Sequence, residues 1–441
     1  MRRLRPGIPI RLRGRTVSLR GVRRPPGRLL RVLLVLGPGM VAGAAGNDAG
    51  GIATYSQVGA ALGYELLWAL LLSTVSLAVI QEMAARLGAA TGRGLLDLIR
   101  ERFGVAWAGV AVLALLVGNG AITVSEFLGV GAAVELLGVS RYVAVPMAAA
   151  LVWYLVVAGS YARTERLFLV MTLVFLAYPV AAVLAHPSLG GIAHGLFVPS
   201  VRADPNWILL LVGMLGTTLE PYMQVFQQGM VVEKGLARRH YQAERADTYV
   251  GAIFSNLMSA FMIVAVAATL HAHGQTSISS AAQAARALGP LVGGDATLLF
   301  ALGLLGASLL SAAVLPMATA YSVSEALGLP KGIGLDFRRA PGFFGLFTVL
   351  VVVGAVIALI PGVPVIQALV GIQVLNGILM PVTLAFILVL ASDRRLMDDL
   401  VNSRLENALG WLTWVGVVVL VAVLVGGQVL GMLGVGPFAG G

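Results

Sequence analysis

Eleven apolar stretches divide most of this chain, at roughly 30–60, 64–88, 105–137, 141–159, 163–185, 207–234, 248–271, 296–325, 341–360, 364–391 and 409–432. Each is long enough to cross a hydrocarbon core about 30 Å thick. Inside a bilayer a spanning segment satisfies its own backbone N–H and C=O groups, so spans of this kind are helices. Charged residues are only 11% of the 441 residues, and the mean hydropathy is +0.91. A water-soluble surface of that size needs far more charge. The sequence therefore predicts an all-α integral membrane protein with about eleven transmembrane helices.

The basic residues orient it. Residues 1–28 carry ten arginines and no acid, while the remainder balances 20 basic against 20 acidic side chains. The loops on the same side as this arm hold Arg86, Arg93, Arg100 and Arg102, then Arg163 and Arg166, and then Lys234, Arg238, Arg239 and Arg245. Lys331, Arg338, Arg339, Arg394, Arg395 and Arg404 follow on that side. The positive-inside rule then puts the N-terminus inside and the C-terminus outside. The organisation expected is a disordered arginine-rich cytoplasmic tail (1–28), a transporter core (29–395), and a loop with the eleventh helix and a short extracytoplasmic tail (396–441). Such an arm suits the anionic inner leaflet better than nucleic acid. No obligate protein partner is evident. Arginine over lysine, with abundant Ala, Gly and Val, fits a bacterial cytoplasmic membrane.

Two of the spans are interrupted, and each interruption carries an acid. Gly46-Asn47-Asp48-Ala49-Gly50-Gly51 lies in the first, and Gly216-Thr217-Thr218-Leu219-Glu220-Pro221 lies in the sixth. Carboxylates within hydrocarbon mark ion pathways. Broken helices in matching positions of two halves point to an inverted-repeat transporter with its site at the midplane. The spacing of five helices predicts the LeuT-type 5+5 arrangement, with the eleventh helix as an addition.

At the first break, Gly43, Gly46, Gly50 and Gly51 permit non-helical backbone. Freed carbonyls at Gly46 and Gly51 then face a cavity as oxygen ligands, with Asp48 supplying charge. At the second, the ring of Pro221 disrupts the bond to the Thr217 carbonyl. Thr217 so offers a carbonyl and a hydroxyl beside Glu220. Gln373 and Asn376 of the tenth span are further candidates to line the path. No lysine or arginine lies in a predicted span core to neutralise these acids, which leaves a metal cation as their partner. Glu82, near the end of the second span, reads as a structural partner for an arginine. His271 and His273 are weak candidates for metal capture at a surface.

Other function classes fit poorly. There is no cysteine, and the five histidines fall in loops or at helix ends, which removes thiolate, haem and histidine-based metal enzymes. No nucleophile–base set and no sizeable soluble domain argue for an enzyme, and no resident cofactor is expected. A symporter for an organic carboxylate would present its substrate to two repelling acids. An organic cation would fit the charges better, but aromatic side chains for a cation–π cage, chiefly Tyr55 and Tyr222, are few near the breaks. An organic-substrate symporter and a metal-sensing membrane protein, the latter distinguished by binding without flux, are the rivals.

The stretches GPGMVAGAAGNDAGGIATYSQVGAALGYELLW and IQEMAARLGAATGRGLLDLIRERFG, and later QALVGIQVLNGILMP, resemble the Nramp divalent-metal transporters from about residue 36 to 395. The resemblance implies metal transport by alternating access, with Asp48 as a ligand. The family's Asp-Pro-Gly-Asn reads Asp48-Ala49-Gly50-Gly51 here, and its Met-Pro-His reads Glu220-Pro221-Tyr222. A second family histidine aligns with Gln227. Exchanging a soft thioether for a carboxylate hardens the site toward Mg²⁺, Ca²⁺ and Mn²⁺, and Mg²⁺ is usually held by one or two carboxylates and retained water. These departures lead to the expectation of an Nramp-related magnesium transporter, with Mn²⁺ as second substrate and no proton coupling. The alternative is an ordinary proton-coupled Mn²⁺/Fe²⁺ symporter.

Overall fold

The computed structural model describes residues 9–12, 15–18, 47–157, 176–236, 238, 241–289, 293–331, 335 and 337–433. Outside them lie the first half of the first predicted span, residues 163–175 of the fifth, most of the arginine-rich arm, and the tail from 434. The chain divides into two units, Met1–Gly37 and Pro38–Gly441. In the first, β1 (Pro9–Leu12) pairs antiparallel with β2 (Arg15–Ser18).

The described residues of the second unit form helices and the loops between them. In order come α1 (Ala49–Leu62), α2 (Leu67–Thr91), α3 (Leu95–Phe103), α4 (Val105–Leu136), α5 (Arg141–Val157), α6 (Ala177–Leu184) and α7 (Leu189–Phe197). Then follow α8 (Pro205–Thr218), α9 (Pro221–Glu233), α10 (Tyr241–Thr269), α11 (Ala296–Ala326), α12 (Pro341–Ala358), α13 (Val365–Ala391) and α14 (Arg404–Met432). Among the described residues eight helical spans are long and apolar enough to cross a membrane, α8 and α9 together making one. The pair α6 and α7, bent by 120°, raises the number to nine. The expected eleven exceeds this because α1 and α5 are short as described and part of the fifth span is outside the described residues.

Local chemistry sets the ends. Asp204 caps α8, accepting from the Trp207 amide at 2.8 Å, with Pro205 in the first turn, where its missing N–H costs nothing. Ser403 and Glu406 form a reciprocal capping box at the start of α14. Gly92 ends α2 at φ 65°, a left-handed conformation that favours glycine.

α1 lies at the centre, packed against α4, α8, α10 and α13, and most of its residues are buried. α14, by contrast, buries only Gly410, Val417, Leu424 and Gly427. It is fastened by Arg86 of α2, which bridges Glu82 at 3.2 Å and Glu406 at 3.3 Å and donates to Asn402 at 2.6 Å. Glu82 is thus the structural partner its position suggested. Removing one member of such a buried pair leaves an uncompensated charge.

Candidate functional site

Asp48 is the N-cap of α1. Its backbone is extended (φ −74°, ψ −178°), and its Oδ1 accepts the Gly51 amide at 2.6 Å. Gly50 and Gly51 fall inside the first helical turn, so the break ends at Asp48, three residues earlier than the glycine run suggested. Gly50 serves packing instead, since a Cβ there would stand 2.2 Å from the Gln373 amide nitrogen. That nitrogen donates to Asp48 at 3.4 and 3.5 Å. Asn376, one turn on, donates to Gln373 Oε1 at 3.4 Å and to the Ile372 carbonyl at 3.1 Å, and its own carbonyl oxygen has no hydrogen-bond partner among the described residues. Gly46 lies outside the described residues.

The second break falls where the proline pattern put it. α8 ends at Thr218, Leu219 and Glu220 leave the helix, and α9 restarts at Pro221. Glu220 is fully buried, and neither of its oxygens has a hydrogen-bond partner among the described residues. The Thr217 hydroxyl is likewise unpartnered. Buried polar atoms without protein partners are rare in native structures and call for water or an ion.

A third carboxylate joins them. Glu126 of α4, fully buried, accepts the Ala49 amide at 3.5 Å. It is close enough to Asp48 and Glu220 for each to act on it electrostatically, and no lysine or arginine contributes comparably to any of the three. In sequence Glu126 is the acid retained in the third span, its register against the acid of the resembling family not fixed, and it was not singled out as a ligand. Its signal was the other half of the pattern, a lone acid in the middle of a long apolar span. Among the described residues no three His, Cys, Asp or Glu side chains form a ready metal cage. A cation here therefore needs neutral oxygens as well, and the Thr217 hydroxyl and Asn376 carbonyl, both unpartnered among the described residues, are of that kind, with the Gln373 carbonyl beside them. A set that binds without caging suits an ion that must also leave.

The breaks are also tied to each other and to α10. The Tyr55 phenol meets the Thr218 hydroxyl at 3.0 Å. Asn47 bonds Ser255 at 3.4 Å and Ser259 at 3.3 Å. The two surface histidines are engaged elsewhere, His271 Nδ1 with the Ala60 carbonyl at 2.7 Å and His273 Nδ1 with the Thr269 carbonyl at 2.6 Å.

Residues 39–426 match the natural resistance-associated macrophage protein-like family, Nramp. Two proteins named divalent metal cation transporter MntH are similar over most of their length. That of Klebsiella pneumoniae is 29% identical over 413 residues, 91% of this chain and 95% of that one. That of Deinococcus radiodurans is 31% identical over 418 residues, 91% and 92% of the two chains. Among solved structures, a manganese transporter of Eremococcus coleocola superposes with TM-score 0.71 at 19% identity, covering 94% of this chain and 91% of that one. The nucleobase-cation-symport-1 transporter Mhp1 superposes at 0.54 and 15% identity, covering 88% and 91%. The fold is thus an all-α, multi-span membrane fold like that of these transporters. These relatives overturn the assignment to a magnesium-specific branch, since they are divalent-metal and manganese transporters. The physical reason is that carboxylate, carbonyl and water suit Mn²⁺ as well as Mg²⁺. The Met-to-Glu exchange at Glu220 therefore hardens the site without singling out magnesium.

Proposed function

The chain belongs to the Nramp family of divalent-metal transporters, and from that premise we propose that its cargo is Mn²⁺, carried inward across the cytoplasmic membrane with a proton. As a member of that family it is a transporter and not an enzyme. The observation that carries the reading is the burial of two helix-break carboxylates, Asp48 and Glu220, near a third, Glu126, with no lysine or arginine paired to any of the three among the described residues. Asp48 and Glu220 bind the ion. Thr217, Gln373 and Asn376 complete its shell with water; the Gly51 carbonyl, expected as a ligand, is instead committed inside α1. Two carboxylates neutralise a divalent ion, and the third is then neutralised by the accompanying proton, since a lone charge in low dielectric is costly. The expectation of uncoupled uptake is replaced on this account. In the bilayer the chain follows the 5+5 repeat, with its arginine arm on the inner, anionic leaflet. An inside-negative potential adds about 4.6 kcal/mol per 100 mV for a divalent ion, twice the single-charge figure.

The test is Mn²⁺ influx into proteoliposomes at fixed negative potential, with an internal pH dye and excess Mg²⁺ as competitor. Mn²⁺ entry with acidification, little affected by Mg²⁺, is the expected result. In Glu126→Gln, acidification should be lost. Mg²⁺ influx that equals Mn²⁺ influx and brings no acid would refute the reading.

A further inference from the structure

We propose that Ser259 of α10 is a positioning residue whose bond to Asn47 forms a releasable latch, holding the Asp48 turn in register with the second break and letting it go during transport. The proposal rests on the reading of Asp48 as a ligand.

Asn47 immediately precedes Asp48 and is buried. Its side-chain amide reaches two serines one turn apart on α10. Nδ2 donates to Ser255 Oγ at 3.4 Å, and Oδ1 accepts from Ser259 Oγ at 3.3 Å. The Ser259 hydroxyl has one proton and two acceptors, because the Ser255 carbonyl stands at 3.2 Å. Ser259 can therefore release Asn47 and keep a hydrogen bond within its own helix. In hydrocarbon, where no water waits to satisfy a freed hydroxyl, this exchange removes most of the penalty for parting.

Ser259 also faces the Tyr55 phenol, which meets Thr218 two residues before Glu220. The series Asn47, Ser259, Tyr55, Thr218 is buried throughout and runs from one break to the other by way of α10. The lengths divide it into two kinds of joint. Thr218 donates to the Met214 carbonyl at 2.8 Å and Tyr55 meets Thr218 at 3.0 Å, whereas the Asn47 contacts are 3.3 and 3.4 Å, beyond the usual range for strong bonds. The firm joints lie within the α1–α8 pair, and the exchangeable ones lie between that pair and α10. An element with two nearly equal arrangements is what a transport cycle requires.

The chain has no cysteine, so a pair introduced by Asn47→Cys and Ser255→Cys reports without background. In proteoliposomes, Mn²⁺ uptake by this double variant should fall at least several-fold on oxidation and return with reductant. Uptake unchanged while the cross-link is verified by mass would overturn the latch as a moving part. In Ser259→Ala, KM for Mn²⁺ should rise several-fold with Vmax less affected, and amide exchange over residues 47–58 should quicken. Ser259→Thr should restore both. Equal exchange in Ser259→Ala and the unaltered protein would overturn the positioning role, and this readout needs no metal. If the unaltered protein moves no Mn²⁺, the cargo assignment fails and the latch still stands or falls on the exchange rates.

Discussion

The two helix breaks use their acids differently. At the first, Asp48 is part of the fold, because it caps α1 through the Gly51 amide and receives Gln373. At the second, Glu220 occupies the N-cap position of α9 and makes no capping bond, with both oxygens unpartnered among the described residues. Proline does not explain the difference, since Asp204 caps α8 with Pro205 in its first turn; at α9 the Met223 amide bonds the Glu220 backbone carbonyl at 3.1 Å in place of its carboxylate. One break is shaped by its carboxylate, and the other keeps its carboxylate out of the cap. The Asp48 carboxylate is thus held by the fold, while that of Glu220 makes no capping bond. Ion selectivity is accordingly expected to reside more in Glu220, and the integrity of the turn more in Asp48.

Asp48→Asn tests the first half with the largest expected effect. Asn caps a helix about as well as Asp, so the turn should survive. Losing the charge should lower Mn²⁺ uptake beyond the about 10–100-fold typical of a lost supporting contact. Flux assays paired with thermal unfolding in detergent check this, and a large fall in the unfolding midpoint would mean that the charge itself holds the turn.

The packing around the breaks gives the next contrast. At Gly216 a Cβ would meet the Gln373 carbonyl oxygen at 2.0 Å and the Gly377 nitrogen at 2.6 Å, both backbone, because α8 and α13 cross there at their closest approach. Gly216→Ala should destabilise by about 1–3 kcal/mol, the usual range for overpacking, and read out as reduced yield of folded protein. Gly50→Ala meets only the end of the Gln373 side chain, which can swing aside. It should fold well and weaken Mn²⁺ binding, because Gln373 would leave Asp48. Equal losses of folded protein from the two would show that Gln373 is rigidly held.

How much of this was legible follows from the same residues. Asp48, Glu220 and Pro221 stand out in sequence because a charge or a ring in a membrane helix is locally anomalous. Glu126 was visible as an anomaly, but only packing places it beside Asp48. Gly50 and Gly51 looked like unwound backbone and are helical, because glycine's freedom in sequence cannot be told from its use at a close contact. The Asn47 latch was not legible at all, since it depends on which face α10 turns to α1. At Glu220 the step from an oxygen donor to magnesium failed, because Mn²⁺ takes the same oxygens.

Glu220→Met bears on the selectivity half of the comparison. A thioether favours softer ions, so the ratio of Cd²⁺ to Mn²⁺ uptake should rise about tenfold, equivalent to 1.4 kcal/mol. The unfolding midpoint should hold or rise, since the substitution removes a buried carboxylate without partners. An unchanged ratio would place selectivity elsewhere, and a lower midpoint would show that Glu220 supports the fold after all.

The smallest effects concern the joint between the breaks, where the direction of one hydrogen bond decides the ranking. Thr218 gives its only hydroxyl proton to the Met214 carbonyl at 2.8 Å, so in the 3.0 Å contact Tyr55 must be the donor. Tyr55→Phe removes that donor and leaves Thr218 still bonded, a loss of about 0.5–1.5 kcal/mol. Thr218→Val instead removes the phenol's acceptor on α8 and forces its proton onto the Ser259 hydroxyl of α10, which also faces it, at a cost toward the about 1–3 kcal/mol of an orphaned donor. Both are measured as shifts in unfolding midpoint, and Thr218→Val should be the more damaging. With both changes together, neither partner is orphaned, and the double variant should be less destabilised than the sum of the two. Simple additivity would mean that the two hydroxyls do not interact and that the breaks are held in register by packing alone.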